Sequence, residues 1–340
     1  MADPTQQPTS AAVTFRPLEA KDLNRVVSID AALSGNRPRR AYFERRLQAA
    51  IREPQMHLQF AAEHAGVLVG YVLARRMRGE FGREAEALRL AVIGVEPGEQ
   101  HHGVGVGLLH CLEDWCRRHG LHEIRSQAHW KHHAMLEFFD HAGFSLGRNH
   151  VIDCEVHAGP LVAAGGSAEP SERDDRHEVD YSDPAANDFE ALPRDRVDVR
   201  ILQREDAAAL ARIDRKNTGH DRSAYLAQLV DEALDESSVR VSLVARVDGI
   251  VRGFVMAKAD FGDFGRTEPV AVIDTIDVDP DTAGQGIGSA LLSQLFVNLQ
   301  ALQVVRAETV VSLENLGLLA FLHRRGFEPS ERLGFVRRVQ

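Results

Sequence analysis

Apolar residues along the chain recur with two periods, near 3.6 and near 2, and the order in which the periods alternate is written twice. Residues 1–12 are polar and are expected to form a loose tail. A short strand over 13–16 precedes an amphipathic helix carrying Leu23, Val26, Val27 and Ile29 on one side. Ser34-Gly35-Asn36-Arg37-Pro38 breaks that helix, and Tyr42, Phe43 and Leu47 mark another over 40–51. Strands are expected at 58–62 and 67–74, around a turn at His64-Ala65-Gly66, and at 88–95. Val104, Leu108, Leu112 and Trp115 then form one helical stripe. A strand at 123–128, a helix at 134–141 and a last strand from Gly143-Phe144 to about Cys154 end the first half.

The second half repeats the first. Arg16 corresponds to Arg200, Ile29-Asp30 to Ile213-Asp214, Ser34-Gly35 to Thr218-Gly219 and Tyr42 to Tyr225. From there a constant offset of 183 pairs Gly70 with Gly253, Phe81-Gly82-Arg83 with Phe264-Gly265-Arg266, and Pro97 with Pro280. It also pairs Gly103 with Gly286 and Gly143-Phe144 with Gly326-Phe327. One offset shared by so many turn formers identifies a duplication. Between the copies, residues 158–196 keep neither period and hold ten acids against four arginines, the mark of a flexible, self-repelling linker. The domains are therefore 13–157 and 197–340, each mixed α/β.

Composition narrows the function. A net charge of −10 argues against nucleic acid or an anionic membrane as partner, and no apolar run reaches the ~18 residues of a membrane helix. No export signal precedes the first strand, and three cysteines cannot build a disulfide framework. Cys111 and Cys116 stand five apart on a helix, which splays them. A cytoplasmic protein is expected.

Chemistry concentrates where a strand runs through a glycine turn into a helix. The first such turn is Gln100-His101-His102-Gly103-Val104-Gly105, after Val95-Glu96-Pro97. The second is Ala283-Gly284-Gln285-Gly286-Ile287-Gly288, after Val278-Asp279-Pro280. Glycines let a backbone approach a ligand, and a helix N-terminus presents unpaired N–H groups to an anion. Each turn thus reads as a phosphate cradle. A dinucleotide-binding fold is excluded because the turns lie deep within each unit and not at a first βα connection. His101, His102, His129, His132 and His133 lack the Cys or acid spacing of a zinc site, so no metal is expected.

These residues resemble the GNAT superfamily of acyl-CoA N-acyltransferases, whose signature is Gln/Arg-x-x-Gly-x-Gly/Ala after a strand ending Val-x-Pro. The first half carries it in full; the second has Ala283 in place of Gln or Arg. The resemblance covers about 13–157 and 197–340 and implies two twisted mixed sheets flanked by helices, an α/β (α+β) fold. It implies acetyl-CoA as co-substrate, cradled by residues 101–106 and 284–289, with the coenzyme arm along Val95 in one half and Ile276 and Val278 in the other. It also implies that Asn315 serves the coenzyme or starts a helix. The family's tyrosine, which protonates the departing thiolate, falls on Phe139 and Leu322. Tyr225, Ser312 or His323 could replace it.

Transfer to an amine requires a base, since an alkyl amine with a pKa of about 10 enters protonated. Strict alternation places Val272, Asp274, Ile276 and Val278 on one face of a strand, so Asp274 is the expected base, or else an acid paired to a neighbour. Ala91 is its counterpart. Arg75, Arg76, Arg78, Arg83 and Arg89 surround the first half's strands, whereas the second offers Lys258, Asp260, Asp263 and Arg266, an acidic mouth suited to a cationic amine. The expectation is acetyl transfer to a primary amine, on a small molecule or on a protein lysine or N-terminus, with the second half as catalyst. Two alternatives stand beside it: catalysis by the first half with the second degenerate, and a non-catalytic acyl-CoA-binding protein.

Overall fold

The computed structural model describes residues 12–35, 37–77, 86–156, 197–236, 241–260, 262–266 and 268–340. The expected tail (but for residue 12), the expected linker and the repeated Phe81-Gly82-Arg83 lie outside them. The first half runs β1 (Thr14–Pro17), α1 (Leu23–Leu33), α2 (Arg40–Arg52), β2 (His57–His64), β3 (Val67–Met77), β4 (Ala87–Val95), α3 (Val104–Arg118), β5 (Glu123–His129), α4 (His133–His141), β6 (Ser145–Leu146) and β7 (Asn149–Glu155). The second repeats the order as β8 (Asp198–Ile201), α5 (Ala207–Thr218), α6 (Ser223–Asp231), β9 (Leu243–Val247), β10 (Ile250–Asp260), β11 (Val270–Val278), α7 (Ile287–Ala301), β12 (Arg306–Ser312), α8 (Leu316–His323), β13 (Glu328–Pro329) and β14 (Arg332–Arg338). Among the described residues no helix is long and apolar enough to cross a membrane.

Each sheet has seven strands and each is sandwiched. In the first half α1 and α2 cover one face, over Val26, Ile29, Phe43 and Tyr71, while α3 and α4 cover the other, over Leu88, Leu90, Leu108 and Leu112. The second half repeats this with α5 and α6 over Phe254 and Met256, and α7 over Ala271, Ile273 and Leu291. Val104, Leu108 and Leu112 are buried as their stripe requires; Trp115 is half-buried and stacks on His119.

The two sheets are not separate. The orders are β1-β2-β3-β4-β5-β14-β6 and β13-β7-β12-β11-β10-β9-β8, so each half gives its last long strand to the other. Cross-strand charge at two positions favours this choice, although Asp153 lies opposite Glu308. In the exchanged arrangement Arg338 lies opposite Glu123, and Glu155 opposite Arg306. The donated strands are offset by the same 183 residues, so self-pairing would put Glu155 opposite Glu123 and Arg338 opposite Arg306. Like charges directly opposite are unfavourable, by up to about 1 kcal/mol per pair.

The buried side chains agree. Arg337 on β14 pairs with Glu113, a buried acid of α3, whereas its counterpart Cys154 is buried in the second core. Self-pairing would put a thiol where Arg337 meets Glu113 and leave that buried acid to the more distant Arg117 (3.7 Å), which is unfavourable for a buried charge. The exchange also closes both cores, with Phe335 against Phe139 and Ile152 and Cys154 beneath the second sheet.

Removing residues 331–340 should therefore unfold the first half, although those residues belong to the second repeat. Both tryptophans, Trp115 and Trp130, are in the first half, so the expected result is red-shifted tryptophan emission and a lost or lowered thermal transition. A truncated protein with the full-length emission and melting curve would show that the halves close independently.

Candidate active site

The two central strands of each sheet begin together and then part. β11 pairs in parallel with β12 from Val270–Arg306 to Ile273–Thr309, and β4 with β5 at Leu88–Ile124 and Arg89–Arg125; beyond, no pairing continues. A hydroxyl sits at each fork, Thr309 Oγ1 donating to the Ile273 carbonyl (2.9 Å) and Ser126 Oγ to that of Leu90 (3.0 Å). The strand N–H and C=O groups past each fork are left for something other than β12 or β5.

A β-bulge stands at each fork. Pairing of β10 with β11 jumps from Met256–Thr275 to Ala257–Ile273, skipping Asp274; that of β3 with β4 skips Ala91. An extra residue inverts the alternation. Ile273 and Ile276 consequently pack on the same side, under α7, and Ala91 and Val92 both belong to the α1–α2 side. Strict alternation had put Asp274 on the face of Ile276 and Val278. The bulge moves it to the opposite face, toward α5 and α6.

There Asp274 meets Lys258, whose Nζ lies 3.0 Å from the carboxylate. Both line a cavity of about 160 Å³ between the halves. α2 of the first half contributes Arg45, Arg46 and Arg52, and β3 contributes Arg75, which pairs with Glu232 of the second half. Arg75 and Lys258 are 183 residues apart, so equivalent positions of the two sheets face one chamber.

The expected acidic mouth does not form at Asp263. That residue is buried against Arg46 and Arg89 of the first half and accepts a hydrogen bond from Tyr42 (2.7 Å). Burial alone would raise its pKa; Arg46, Arg89 and the Tyr42 hydroxyl more than offset this and hold it far below the carboxylate range. The Asp260 side chain lies outside the described residues. Arg75 and Arg89, expected around the first half's own cleft, cross instead to carboxylates of the second.

The glycine turns have the geometry of cradles. Gly103 (φ 81°) and Gly286 (φ 78°) hold left-handed backbone at the starts of α3 and α7, and neither start has a side-chain cap. The free N–H groups of two 15-residue helices therefore remain for an anion. Gly284 is also left-handed (φ 80°), but its counterpart is His101 (φ 63°), where a side chain costs about 1–2 kcal/mol. Gln100 turns back to the Val95 carbonyl (3.1 Å), and Gln285 and His102 complete the two loops. Val104 and Ile287 are buried beneath them, while Gly105 and Gly288 lie against Phe138 and Phe321. Arg325, unremarked in the sequence, reaches Ser289 in the first turn of α7 and adds a cation beside the second cradle.

Asn315 caps α8, its side chain accepting from Leu318 N (3.1 Å). Phe139 and Leu322 are buried in the cores, so no acid group reaches the fork from the positions of the expected tyrosine. His323 is exposed, Ser312 bonds Glu314 N, and Tyr225 packs beneath the Arg222 guanidinium. Among the described residues no cluster of three His, Cys, Asp or Glu could hold a metal. His129 contacts Glu331 and the Lys131 N–H.

The structure adds one acid whose carboxyl the sequence left unread. Asp277, on the α5 side of β11, accepts from Asn217 Nδ2 (3.1 Å) beside the Asp214–Arg222 pair. Burial, then the like charge of Asp214, pushes its pKa up to about 7. In the first half the counterpart is Gly94, and the space goes to Tyr71, which donates to Asp30 (3.0 Å); a Cβ on Gly94 would lie 2.7 Å from that ring. Phe254 faces Asp277 where Tyr71 faces Gly94.

The acetyltransferase (GNAT) family description matches residues 23–144 and 207–327, both stretches ending short of the exchanged strands. An uncharacterized N-acetyltransferase of Methanocaldococcus jannaschii is 35% identical over 100 residues, which are 28% of this chain and 43% of that protein. The chain thus spans less than half of that relative's length. A tandem GNAT protein from the clavulanic acid biosynthesis pathway superposes with TM-score 0.62 at 15% identity, covering 97% of this chain and 99% of its own. A GCN5-related N-acetyltransferase from Sphaerobacter thermophilus superposes with TM-score 0.56 at 14% identity over 96% of each chain.

Asp277 makes stability depend on pH in a defined direction. Its folded pKa is raised from 3.8 to about 7, so the folded chain keeps a proton that the unfolded chain releases. Stability from this group is therefore present below the lower value and lost as pH rises toward 7. Asp277→Asn should melt progressively higher than the wild type as pH goes from about 4 to about 8. A melting-temperature difference that stays constant over that range would contradict the assignment.

Proposed function

The chain belongs to the acetyltransferase (GNAT) family, and on that premise we propose that it is an N-acetyltransferase. It moves an acetyl or other small acyl group from acetyl-CoA directly to a primary amine, with the second half as catalyst. The observation that carries this reading is the second fork. There a bulge presents a carboxylate at the parting of two strands, one loop away from an uncapped, glycine-lined helix start. The first half has the same fork and cradle but presents the methyl group of Ala91.

Acetyl-CoA supplies a thioester carbonyl open to attack. The N–H groups at the start of α7, with Gly284, Gln285, Gly286, Ile287 and Gly288 around them, fit its pyrophosphate. In the first half Gln100, His101, His102, Gly103, Val104 and Gly105 form the matching cradle. The backbone of β11 from Ile276 to Val278 holds the coenzyme arm, as that at Val95 would in β4. An N–H of this strand polarises the carbonyl and holds the oxyanion.

Asp274 takes the proton that the amine must lose. Lys258 now occupies the place of that donor ammonium, which defines where the amine docks. The positions of the family's tyrosine hold Phe139 and Leu322, which cannot protonate the leaving thiolate; with a thiol pKa of about 8.5 it departs unaided. Attack is direct, because Cys111 and Cys116 lie on α3 of the first half and Cys154 is buried in the second core, and burial pushes Cys116 up to about 12 and Cys154 to about 11.

A second reading assigns the base to Asp277, favoured by its pKa of about 7, where a base works best at neutral pH. Thiol release from acetyl-CoA with a broad amine panel separates the possibilities. Asp274→Asn should lose about a hundredfold or more in kcat, while Gly103→Trp, which blocks the first cradle, should keep wild-type turnover provided its melting curve is intact. Full activity in Asp274→Asn with loss in Asp277→Asn would move the base. Loss in Gly103→Trp alone would move catalysis to the first half. No thiol release with any amine would leave an acyl-CoA-binding protein.

A further inference from the structure

Each half ties its central strands to its first helix, and the two ties use different chemistry. In both, a buried aspartate of that helix is gripped through two guanidinium nitrogens, Asp30 of α1 by Arg39 and Asp214 of α5 by Arg222. A carboxylate so held keeps acceptor capacity for a third donor. In the first half that donor is the Tyr71 hydroxyl of β3. Burial, then Asp30, holds this phenol neutral well past its ordinary range. In the second half Phe254 stands in the place of Tyr71 and brings no hydroxyl. Asp277 hydrogen-bonds Asp214 instead. Two carboxyls can do so only through a proton, and Asp214 is the one ion-paired to an arginine, so Asp277 is the donor.

The surroundings of Asp277 decide how long it keeps that proton. α5 presents Asp214 and Asn217, whose Nδ2 donates to the Asp277 carboxyl (3.1 Å) and to the Val278 carbonyl (3.0 Å). The α5–α6 connection presents Arg222, engaged by Asp214 and lying over the Tyr225 ring of α6. β10 sets Phe254 opposite, and its Arg252 pairs with Asp279. Lys216 of α5 bridges Asp279 and Asp281. Burial and Asp214 outweigh Arg222 and Asn217, and the proton leaves at about pH 7.

This tie sits where β11 has least other support. Past Ile273 the strand has lost β12 and is paired along one edge only, to β10. We propose that Asp277 is a positioning residue: its neutral carboxyl ties the coenzyme-arm stretch of β11 to Asp214 on α5, and ionisation releases that stretch, so the second half holds acetyl-CoA most tightly in its protonated form. The inference rests on the acetyltransferase reading of the second fork, with Asp274 as base, and Asp277 acts on the coenzyme through the strand. The first half, tied by a phenol, has no such dependence near neutral pH.

The test reads the proton and the coenzyme separately, on the full-length protein, with each variant checked by its melting curve. In infrared difference spectra against Asp277→Asn, the wild-type side chain is expected to show the carbonyl stretch of one neutral carboxyl, lost as pH rises through about 7. Coenzyme A is then titrated calorimetrically into Gly103→Trp, which leaves the second cradle open, with and without the changes at 277. Asp277→Asn is the baseline, because its amide also donates to Asp214 and does not ionise. Relative to it, affinity with Asp277 intact is expected to match below about pH 6 and to be about tenfold weaker by about pH 8. Asp277→Gly should bind about tenfold more weakly at every pH. Adding Phe254→Tyr to Asp277→Gly rebuilds the first half's tie and should restore affinity without the pH dependence.

The absence of a carboxyl band, an affinity ratio that stays flat with pH, or a double variant no better than Asp277→Gly overturns the tie. The infrared band and Asp277→Asn carry the test should Asp277→Gly fail to fold. In turnover the pH dependence should fall on the KM for acetyl-CoA. A collapse of kcat in Asp277→Asn makes Asp277 the base and overturns the positioning role. Thiol release with no amine at all overturns the transferase reading by itself, since the band and the coenzyme affinity are read without turnover.

Discussion

Everything in this molecule depends on the charge written across two pairs of strands. Arg338 opposite Glu123 and Glu155 opposite Arg306 are compatible only when the halves trade their last strands. The exchange also lets Arg337 neutralise buried Glu113 while Cys154 stays in an apolar core. Each pair is weak on its own, and a third position opposes them, since Asp153 lies opposite Glu308 and would face Arg125 on self-pairing; the buried Arg337–Glu113 contact adds to the two favourable pairs. Neither core is complete without strand from the other repeat, so the duplicated chain became one folding unit.

That coupling determines what the interface can do. With the strands exchanged, α2 of the first half lies against the Gly262–Arg266 loop of the second, and Arg39 donates to the Gly262 carbonyl beneath it. Tyr42 packs so closely on Gly262 that a Cβ there would approach its ring to 2.6 Å. Charged groups are buried on both sides, and each needs its partner, which fixes the relative position of the halves more sharply than an apolar contact would. The chamber beside Asp274 is the space left within that fixed frame.

How far the sequence carried depended on the range of each interaction. The repeat, the helical stripes and the cradles were legible because turns and helix starts are local, and Gly103 and Gly286 hold the left-handed backbone their residue type allows. The exchange was not legible, because β7 and β14 each look like the natural end of their own repeat. The bulge was missed because alternation is a rule about regular strands, and Asp274 is the residue at which the strand is irregular. Pairing to a neighbour stood only as the alternative to its role as a base, and the neighbour, Lys258, came from register across β10. One clue was present and unused: Arg75 and Lys258 are cations in matching apolar strands at the repeat offset.

The two halves show what duplication permits. At one pair of positions the first half has Tyr71 and Gly94, the second Phe254 and Asp277, and the substitutions are reciprocal: a ring hydroxyl fills the space in one, a carboxyl in the other. At the bulge, Ala91 answers Asp274. At the cradle the asymmetry reverses: the first half keeps Gln100 yet strains His101, while the second has lost the glutamine and gained Gly284 and Arg325. The first half thus retains the family's motif and spends its arginines on the second half's chamber. The second departs from the motif and keeps the acids. Such a division is open only to a chain whose halves cannot come apart, because a wall supplied by one half is useful to the other only if it is always there.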